Sequence, residues 1–306
     1  MFVFTQQRES QAVIKKHRVY YLYQAVKYGG IRHAADILNI APSSISRQIT
    51  LLEEELKTPL LEKNLRGAQP TESGELVLKY FSHALEQEED LLASLAALQG
   101  LERGKVTIAT GEGYLRHLAT IISQFSKDHP QIEVQLSAGS SNHVVRKVSD
   151  NEAHIGIAFN PILEPNLRVH FKRQHTVKAF LPPTHPLLNE KEPLTLAQIR
   201  DYPLAMGDIS QGIRQIIQRV EDEEEVTLHP TLKCSQLHML KQYAIGGGIT
   251  LLPEFMLYEE DRDRLQLHNL QHPYFNRTET YMMTRRGRQL PPAAQKLLVM
   301  ILKMFP

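Results

Sequence analysis

Five polar side chains crowd into the short stretch "PSSISRQ": Ser43, Ser44, Ser46, Arg47 and Gln48. Arginine presents a rigid fork of N–H donors that matches the acceptor pair on guanine. Glutamine offers a donor and an acceptor together, as the edge of adenine does, and serine hydroxyls bond to bases or to phosphates. Such a set reads base edges only if a stiff element carries it into a groove. The neighbouring residues supply one, because Ile45, Ile49, Leu52 and Leu56 recur with the period of a helix face. Pro42 suits the first turn of that helix, where its missing N–H would be unpaired in any case.

Just before it, Ile31, Ala34, Ala35 and Leu38 put an apolar face on a shorter helix that ends near Asn39. Two short helices joined by a tight turn, the second polar at its start, make a helix-turn-helix. In that motif the first residues of the second helix meet base edges in the major groove. Arg32 and His33, at the start of the first helix, join the candidate contacts. After the second helix, "KTPLLEKNLRGAQPT" fits a winged turn, with extended pieces at 60–63 and 69–71 flanking a tip that carries Arg66. An arginine there can reach the adjacent minor groove. Helix-turn-helix shapes also occur in proteins that never touch DNA, so shape alone leaves both readings open.

The elements beyond must hold and pair this unit. From Thr71 to Gln99 the chain has no proline and no glycine after Gly74. Val77, Phe81, Ala84, Glu88, Leu91, Leu95 and Leu98 alternate at four and three, the spacing of a coiled-coil seam. The spacing predicts one long helix that pairs with its copy in a second chain, through Phe81, Leu91, Leu95 and Leu98. After "LERGK" the pattern changes: "VTIAT", "IEVQLSAG", "HIGIAF", "HTVKAFLP" and "GITLLP" read as strands, with helical stretches between. That alternation predicts an α/β body with a mainly parallel sheet. The acidic run "EDEEE" at 221–225 reads as a solvated helix end, and "GGG" at 246–248 as a tight helix-to-strand turn.

Length and composition bound the function. The chain has 306 residues, 23% charged, with a formal net charge of +1, which fits a globular protein of about two domains. Ten Lys/Arg against six Asp/Glu in residues 1–70 give +4 there and about −3 in the rest, which points to a polyanionic partner. One cysteine, Cys234, excludes an internal disulfide framework. "MFVFTQQRES" does not read as a signal peptide, and no run approaches the ~20 apolar residues of a bilayer span. A cytoplasmic protein without membrane contact is expected. Fourteen histidines form no metal-binding spacing, and neither a nucleophile elbow nor a dinucleotide fingerprint occurs. No metal, no cofactor and no enzymatic activity are expected.

"AADILNIAPSSISRQITLLEEELKTPLLEKN…TESGE" resembles the N-terminal domain of LysR-type transcriptional regulators. Ala34-Ala35, Leu38, Ser46 to Ile49, Leu52-Glu53, Leu56, Pro59-Leu60 and Thr71 to Gly74 fall where that family places them. "GSSNHVVRKVSDNEAHIGIA", "THPL" and "GGGITLLPEFML" follow in the family's order, so the likeness runs to about residue 300. It implies an N-terminal winged helix-turn-helix, a dimerising linker helix and a two-lobed effector domain similar to periplasmic solute-binding proteins. Expected bounds are an extension at 1–16, the DNA-binding domain at 17–71 and the linker at 72–103. Lobe I is expected at 104–175 with 272–306, and lobe II at 176–271. The resemblance also implies a homodimer, assembling to a tetramer, on a partly palindromic double-stranded operator. Departures are Lys57 where the family usually ends the helix with glycine, Leu61 for phenylalanine, Thr50-Leu51 where a basic residue is common, and His154 for a common aspartate.

In open α/β sheets, ligands sit beyond the carboxyl ends of strands. The loops there hold Thr110, Gly111 and Gly113, then Ser140, Ser141 and Asn142, then Phe159 and Asn160; the resemblance sets Gly207, Asp208 and Gly246 opposite. Helix-start amides favour an anion, so a small polar effector, most simply a carboxylate, is expected on Thr110 and Ser141. Glu112 and Asp208 read as helix caps that point outward. A solute-binding protein and an enzyme with a helix-turn-helix appendage are the competing classes. The N-terminal motif and the want of an export signal argue against the first, and no nucleophile–base or metal constellation supports the second.

Overall fold

The computed structural model describes residues 14–62, 67–98, 103–191, 193–208 and 212–304. The expected wing-tip residue Arg66 lies outside them, as do most of the expected extension at 1–16 and the side chain of Leu98. Two compact units divide at Glu88/Glu89, inside the expected linker rather than at either of its ends.

The first unit is built on α1 (Lys16–Lys27), α2 (Ile31–Leu38), α3 (Pro42–Leu56) and the first turns of α4 (Glu72–Leu98). Ala34 and Ala35 of α2 and Ile45, Ile49 and Leu52 of α3 are buried with Val19 and Leu22 of α1 in one core. A buried-edge ion pair, Arg18 to Glu55 at 2.7 Å, ties α1 to α3. After α3 a small ladder forms: Leu61 bridges Pro70, Glu62 N–H donates to Gln69 O (2.9 Å) and Thr71 N–H to Leu60 O (3.0 Å). Glu53 of α3 accepts the amide of Leu60 at 2.7 Å, which fixes the entry to this wing. Gly74 permits it, since a Cβ there would stand 2.1 Å from Leu60 O.

Helix α3 ends on Lys57 in the left-handed region, φ 53° and ψ 31°. An L side chain is strained there, whereas glycine is not. Lys57→Gly is therefore expected to raise the stability of this unit by about 1 kcal/mol. A urea midpoint unmoved by the change would refute the strain.

The second unit carries two sheets. Lobe I is formed by β1 (Gly104–Gly111), α5 (Leu115–Asp128), β2 (Ile132–Gly139), α6 (Ser141–Ser149), β3 (Ile155–Phe159) and β4 (Leu167–His175). The chain then crosses into lobe II: β5 (Val177–Leu181), α7 (Leu196–Ile199), β6 (Leu204–Met206), α8 (Gly212–Glu224), β7 (Leu232–Lys233), α9 (Leu237–Ile245), β8 (Ile249–Pro253) and β9 (Gln266–Asn269). It returns through β10 (Thr278–Arg285) and α10 (Pro292–Met304) to lobe I. At the crossings Thr278 Oγ1 donates to His175 O at 2.6 Å and Glu254 N–H to Thr176 O at 2.9 Å.

The sheets are mixed, not mainly parallel as expected. In the order β2-β1-β3-β10-β4, the first three strands are parallel and β10 runs against β3 and β4. In the order β7-β6-β8-β5-β9, β5 is antiparallel to both neighbours. The returning strand β10 causes this in lobe I, because it re-enters from the other lobe and not through a βα crossover. The acidic run ends α8 with Asp222, Glu223 and Glu225 exposed, as expected. Glu221 departs from that reading: it is buried, accepts from Arg214 at 2.5 Å and from the Leu228 amide at 2.7 Å, and so holds the end of α8 rather than facing water. Among the described residues no helix is long and apolar enough to cross a membrane.

Candidate functional site

In the first unit the buried stripe of α3 turns the opposite side of its first two turns to solvent. Ser43, Ser44, Ser46 and Arg47 are exposed, and Gln48 is half-buried with its carboxamide oxygen unpartnered. Arg32 and His33, exposed at the start of α2, line a hollow of about 630 Å³ with Leu61, Glu62 and Gly67 at the base of the wing. The five candidates of α3 therefore lie on one projecting surface, while Arg32 and His33 face the wing base.

Phe81 does not lie on a free seam. It is 2% exposed in the core of the first unit, against Tyr20 and Tyr23 of α1. Among the described residues, the large apolar side chains that α4 leaves open are Leu76, Tyr80, Leu91, Leu92 and Leu95. The heptad reading missed this because α1 claims Val77 and Phe81, which rotates the free strip towards the preceding positions.

The last turns of α4 belong to the second unit. There Asp90 meets two side chains of lobe I. Arg288 donates to Asp90 Oδ2 through Nη2 (2.8 Å) and Nε (3.1 Å), and its Nη1 reaches Asn151 O (2.9 Å). His154 Nε2 lies 3.0 Å from Asp90 Oδ1. The Thr107 backbone N–H donates to His154 Nδ1 at 2.9 Å, so the imidazole is neutral with its proton on Nε2. Burial depresses the His154 pKa, opposed by the bond to Asp90. Burial raises that of Asp90, but His154 and Arg288 outweigh it and hold the carboxyl below its usual range. His154 thus finds its acid on α4.

A cleft of about 820 Å³ opens between the lobes. Parallel pairing sets the carboxyl ends of β1, β2 and β3 at one edge, with Gly111 opposite Gly139 in register. The ends of β6 and β7 face them with Asp208, Ser235 and Gln236. Gly111, Gly113, Ser140, Ser141, Phe159 and Asp208 line the cleft, as read from sequence. Five others do not. Thr110 is wholly buried and its hydroxyl donates to Gly111 O. Asn142 is exposed on the flank of α6, Asn160 binds back to Glu279 O, and Gly207 stands one residue short of the lining. Gly246 caps the far end of α9, roughly 13 Å from its cleft end at 1.5 Å per residue.

Sequence reasoning overlooked Arg146, His143, His238 and Phe255. Glu112 and Asp208, expected as helix caps that point outward, depart from that: Glu112 does cap a helix, but within the cleft, and Asp208 lines the cleft too. Arg146 lies one turn beyond the exposed Asn142 and is the one Lys or Arg among the described lining residues. Helix α6 is capped by Ser140, whose Oγ accepts the His143 amide at 3.2 Å. The amides of Ser141 and Asn142 precede any intrahelical acceptor. The Ser141 hydroxyl donates to Phe159 O at 2.6 Å, so it is committed to the protein. Gly212 lets the lobes close here, since a Cβ on it would meet Phe159 O at 2.2 Å. Phe255 stacks on Tyr114 at 5.1 Å and gives the cleft its apolar wall.

A helix-turn-helix with an exposed polar face on one unit and a two-lobed second unit with a cleft match the parts of a ligand-responsive transcription factor. The family model described as "LysR substrate binding domain" matches residues 99–306, and that described as "Bacterial regulatory helix-turn-helix protein, lysR family" matches 17–75. The chain belongs to the LysR family: it is a LysR-type transcriptional regulator with a helix-turn-helix DNA-binding domain and an effector-binding domain. Its domains are those of regulators, not of enzymes. It is 25% identical to the HTH-type transcriptional activator CmpR of Synechocystis sp., over 75% of each chain. The fold is similar to CbnR complexed with its target DNA, at a TM-score of 0.64, 15% identity and 95% and 99% coverage. It is also similar to the CcmR regulatory domain of Synechocystis PCC6803 in complex with 2-PG, at a TM-score of 0.58, 19% identity and 66% and 97% coverage. LysR regulators bind DNA and small effectors and form oligomers.

Proposed function

We propose that Arg47, with Ser43, Ser44, Ser46 and Gln48 beside it, reads base edges in the major groove of a partly palindromic operator. Arg32 and His33 then face phosphates at the wing base, and Arg66 reaches for the minor groove. The observation that carries this is the exposure of Arg47 and its serine neighbours opposite the buried Ile45, Ile49 and Leu52. The chain pairs through α4 into dimers, and the dimers into tetramers, in the cytoplasm. With an operator selected from random DNA, Arg47→Ala is expected to weaken binding by roughly 1–3 kcal/mol and to relax preference at one base pair per half-site. A sequence profile unchanged in the variant would overturn this orientation of α3.

The cleft takes a small effector with an anionic group, most simply a carboxylate. The group sits at the head of α6, on the amides of Ser141 and Asn142, with Arg146 as its counter-ion. Thr110 has no part in this seat, because it is sealed from the cleft. With inorganic phosphate as the probe anion, Arg146→Ala is expected to weaken binding by about tenfold or more, as charge-assisted bonds do when one partner is lost. Equal phosphate affinity in parent and variant, by calorimetry, would move the seat elsewhere.

A further inference from the structure

Glu112 crosses the cleft. It belongs to lobe I, directly after β1, yet its carboxylate accepts the first two amides of α9 in lobe II: Leu237 N–H at 2.6 Å on Oε2 and His238 N–H at 3.0 Å on Oε1. Both oxygens are engaged, 125 and 126 residues away in sequence. Helix α9 is fixed from behind by a buried ion pair, Lys241 to Asp261 at 2.5 Å, with the Lys241 ammonium 3.8 Å from the Tyr258 ring centre. Arg116, one turn after Glu112, covers Tyr258 from lobe I at 4.6 Å and pairs with Glu260. Glu112 is thus held on a built scaffold on both sides of the gap.

The amides at a helix start attract an anion, and here the protein supplies that anion itself. The two walls of the cleft therefore differ. The α6 wall has unspent amides and Arg146, whereas the α9 wall has spent amides beneath a carboxylate, with Asp208 nearby. A second anionic group on an effector would meet like charge there, and its desolvation would go uncompensated.

We infer that Glu112 is the specificity-determining residue of the cleft. Its carboxylate occupies the anion seat at the head of α9, so the site takes effectors with a single anionic group and a neutral remainder against Phe255, and turns away those that carry a second anionic group at their far end. This rests on the reading of the cleft as the effector site, but its test does not. In amide-resolved NMR titrations with inorganic phosphate, the Leu237 and His238 amides of the parent protein are expected to stay still. In Glu112→Ala they are expected to shift, with apparent affinity at least about tenfold above the parent's at these amides. Glu112→Ser empties the same space and gives the same readout if the alanine variant folds poorly. Equal responses at Leu237 and His238 in parent and variants, present or absent, overturn the inference. The response of Ser141 and Asn142, and its loss in Arg146→Ala, judges the effector seat separately. If those amides ignore phosphate while α9 responds in the Glu112 variants, the seat at α6 falls and the role of Glu112 stands.

Discussion

Replacing Arg288 by alanine is expected to lower the melting temperature of the second unit by about 10 °C. Breaking a buried ion pair from one side costs roughly 3–5 kcal/mol. A domain of this size loses about 2–4 °C for each of those. Arg288 is a strong case because its side chain is 7% exposed and Asp90 only 17%. Its removal strands three acceptors at once: Asp90 Oδ2, Asn151 O and Ala153 O. The damage should be local before it is global. Hydrogen exchange in the last turns of α4 is expected to quicken, while α9 and β8 stay protected. A melting temperature within about 2 °C of the parent would show that the trio contributes no more than an exposed surface pair.

The same trio gives this stability a pH dependence with a definite sign. The folded pKa values of Asp90 and His154 both lie below their usual values. For each, the unfolded chain binds protons more readily, so stability is full above the unfolded value and falls with acidification. Loss should begin as the pH drops through about 6.5, where unfolded imidazole titrates, and deepen towards about 4 as the Asp90 carboxylate is protonated in the unfolded chain. Five further histidines shift in the same direction, so the contribution of His154 is read from the difference between the parent and His154→Gln.

The helix-turn-helix and the three parallel strands of lobe I were legible because each leaves a local mark. Ile45, Ile49 and Leu52 spell a helix face, and "HIGIAF" is the near-continuous apolar run of a strand buried on both sides. The strands "LRVHFKRQH" and "TETYMMTR" leave no such mark. One is the outer strand of its sheet, and the other, buried beside it, intersperses Met282 and Met283 with Thr278, Glu279, Thr280 and Thr284. The cleft shows the same limit. That strand ends would meet there follows from topology, but which side chain faces in is decided by parity and by distant partners. Thr110 turns inward on β1, whereas Glu112 is drawn out by the amides of a helix far along the chain. Asp90 is a further instance, since nothing near it in sequence marks it as the partner of Arg288.

Leu91→Asp combined with Leu95→Asp is expected to convert the protein from an oligomer to monomers. In the single chain Leu91 is 58% and Leu95 47% exposed, and Leu76 and Tyr80 of the first unit are open as well. At 3.6 residues per turn these four fall within about 100° of one another, a single stripe along α4. Among the described residues these side chains stand open, and each leucine covered in a pair contributes roughly 1.5–3 kcal/mol. Two-fold pairing brings the stripe onto its own copy, so the double variant places four carboxylates in one interface. They would have to shed water with no cation opposite them, which exceeds what the remaining apolar contacts can offset. Loss of pairing also separates the two recognition helices, and affinity for a full operator should fall by about 10²–10⁴ towards that of one half-site. Light scattering on the purified variant, alongside the parent at the same concentration, decides the matter: a soluble double variant that keeps the parent's mass would show that α4 does not carry the pairing.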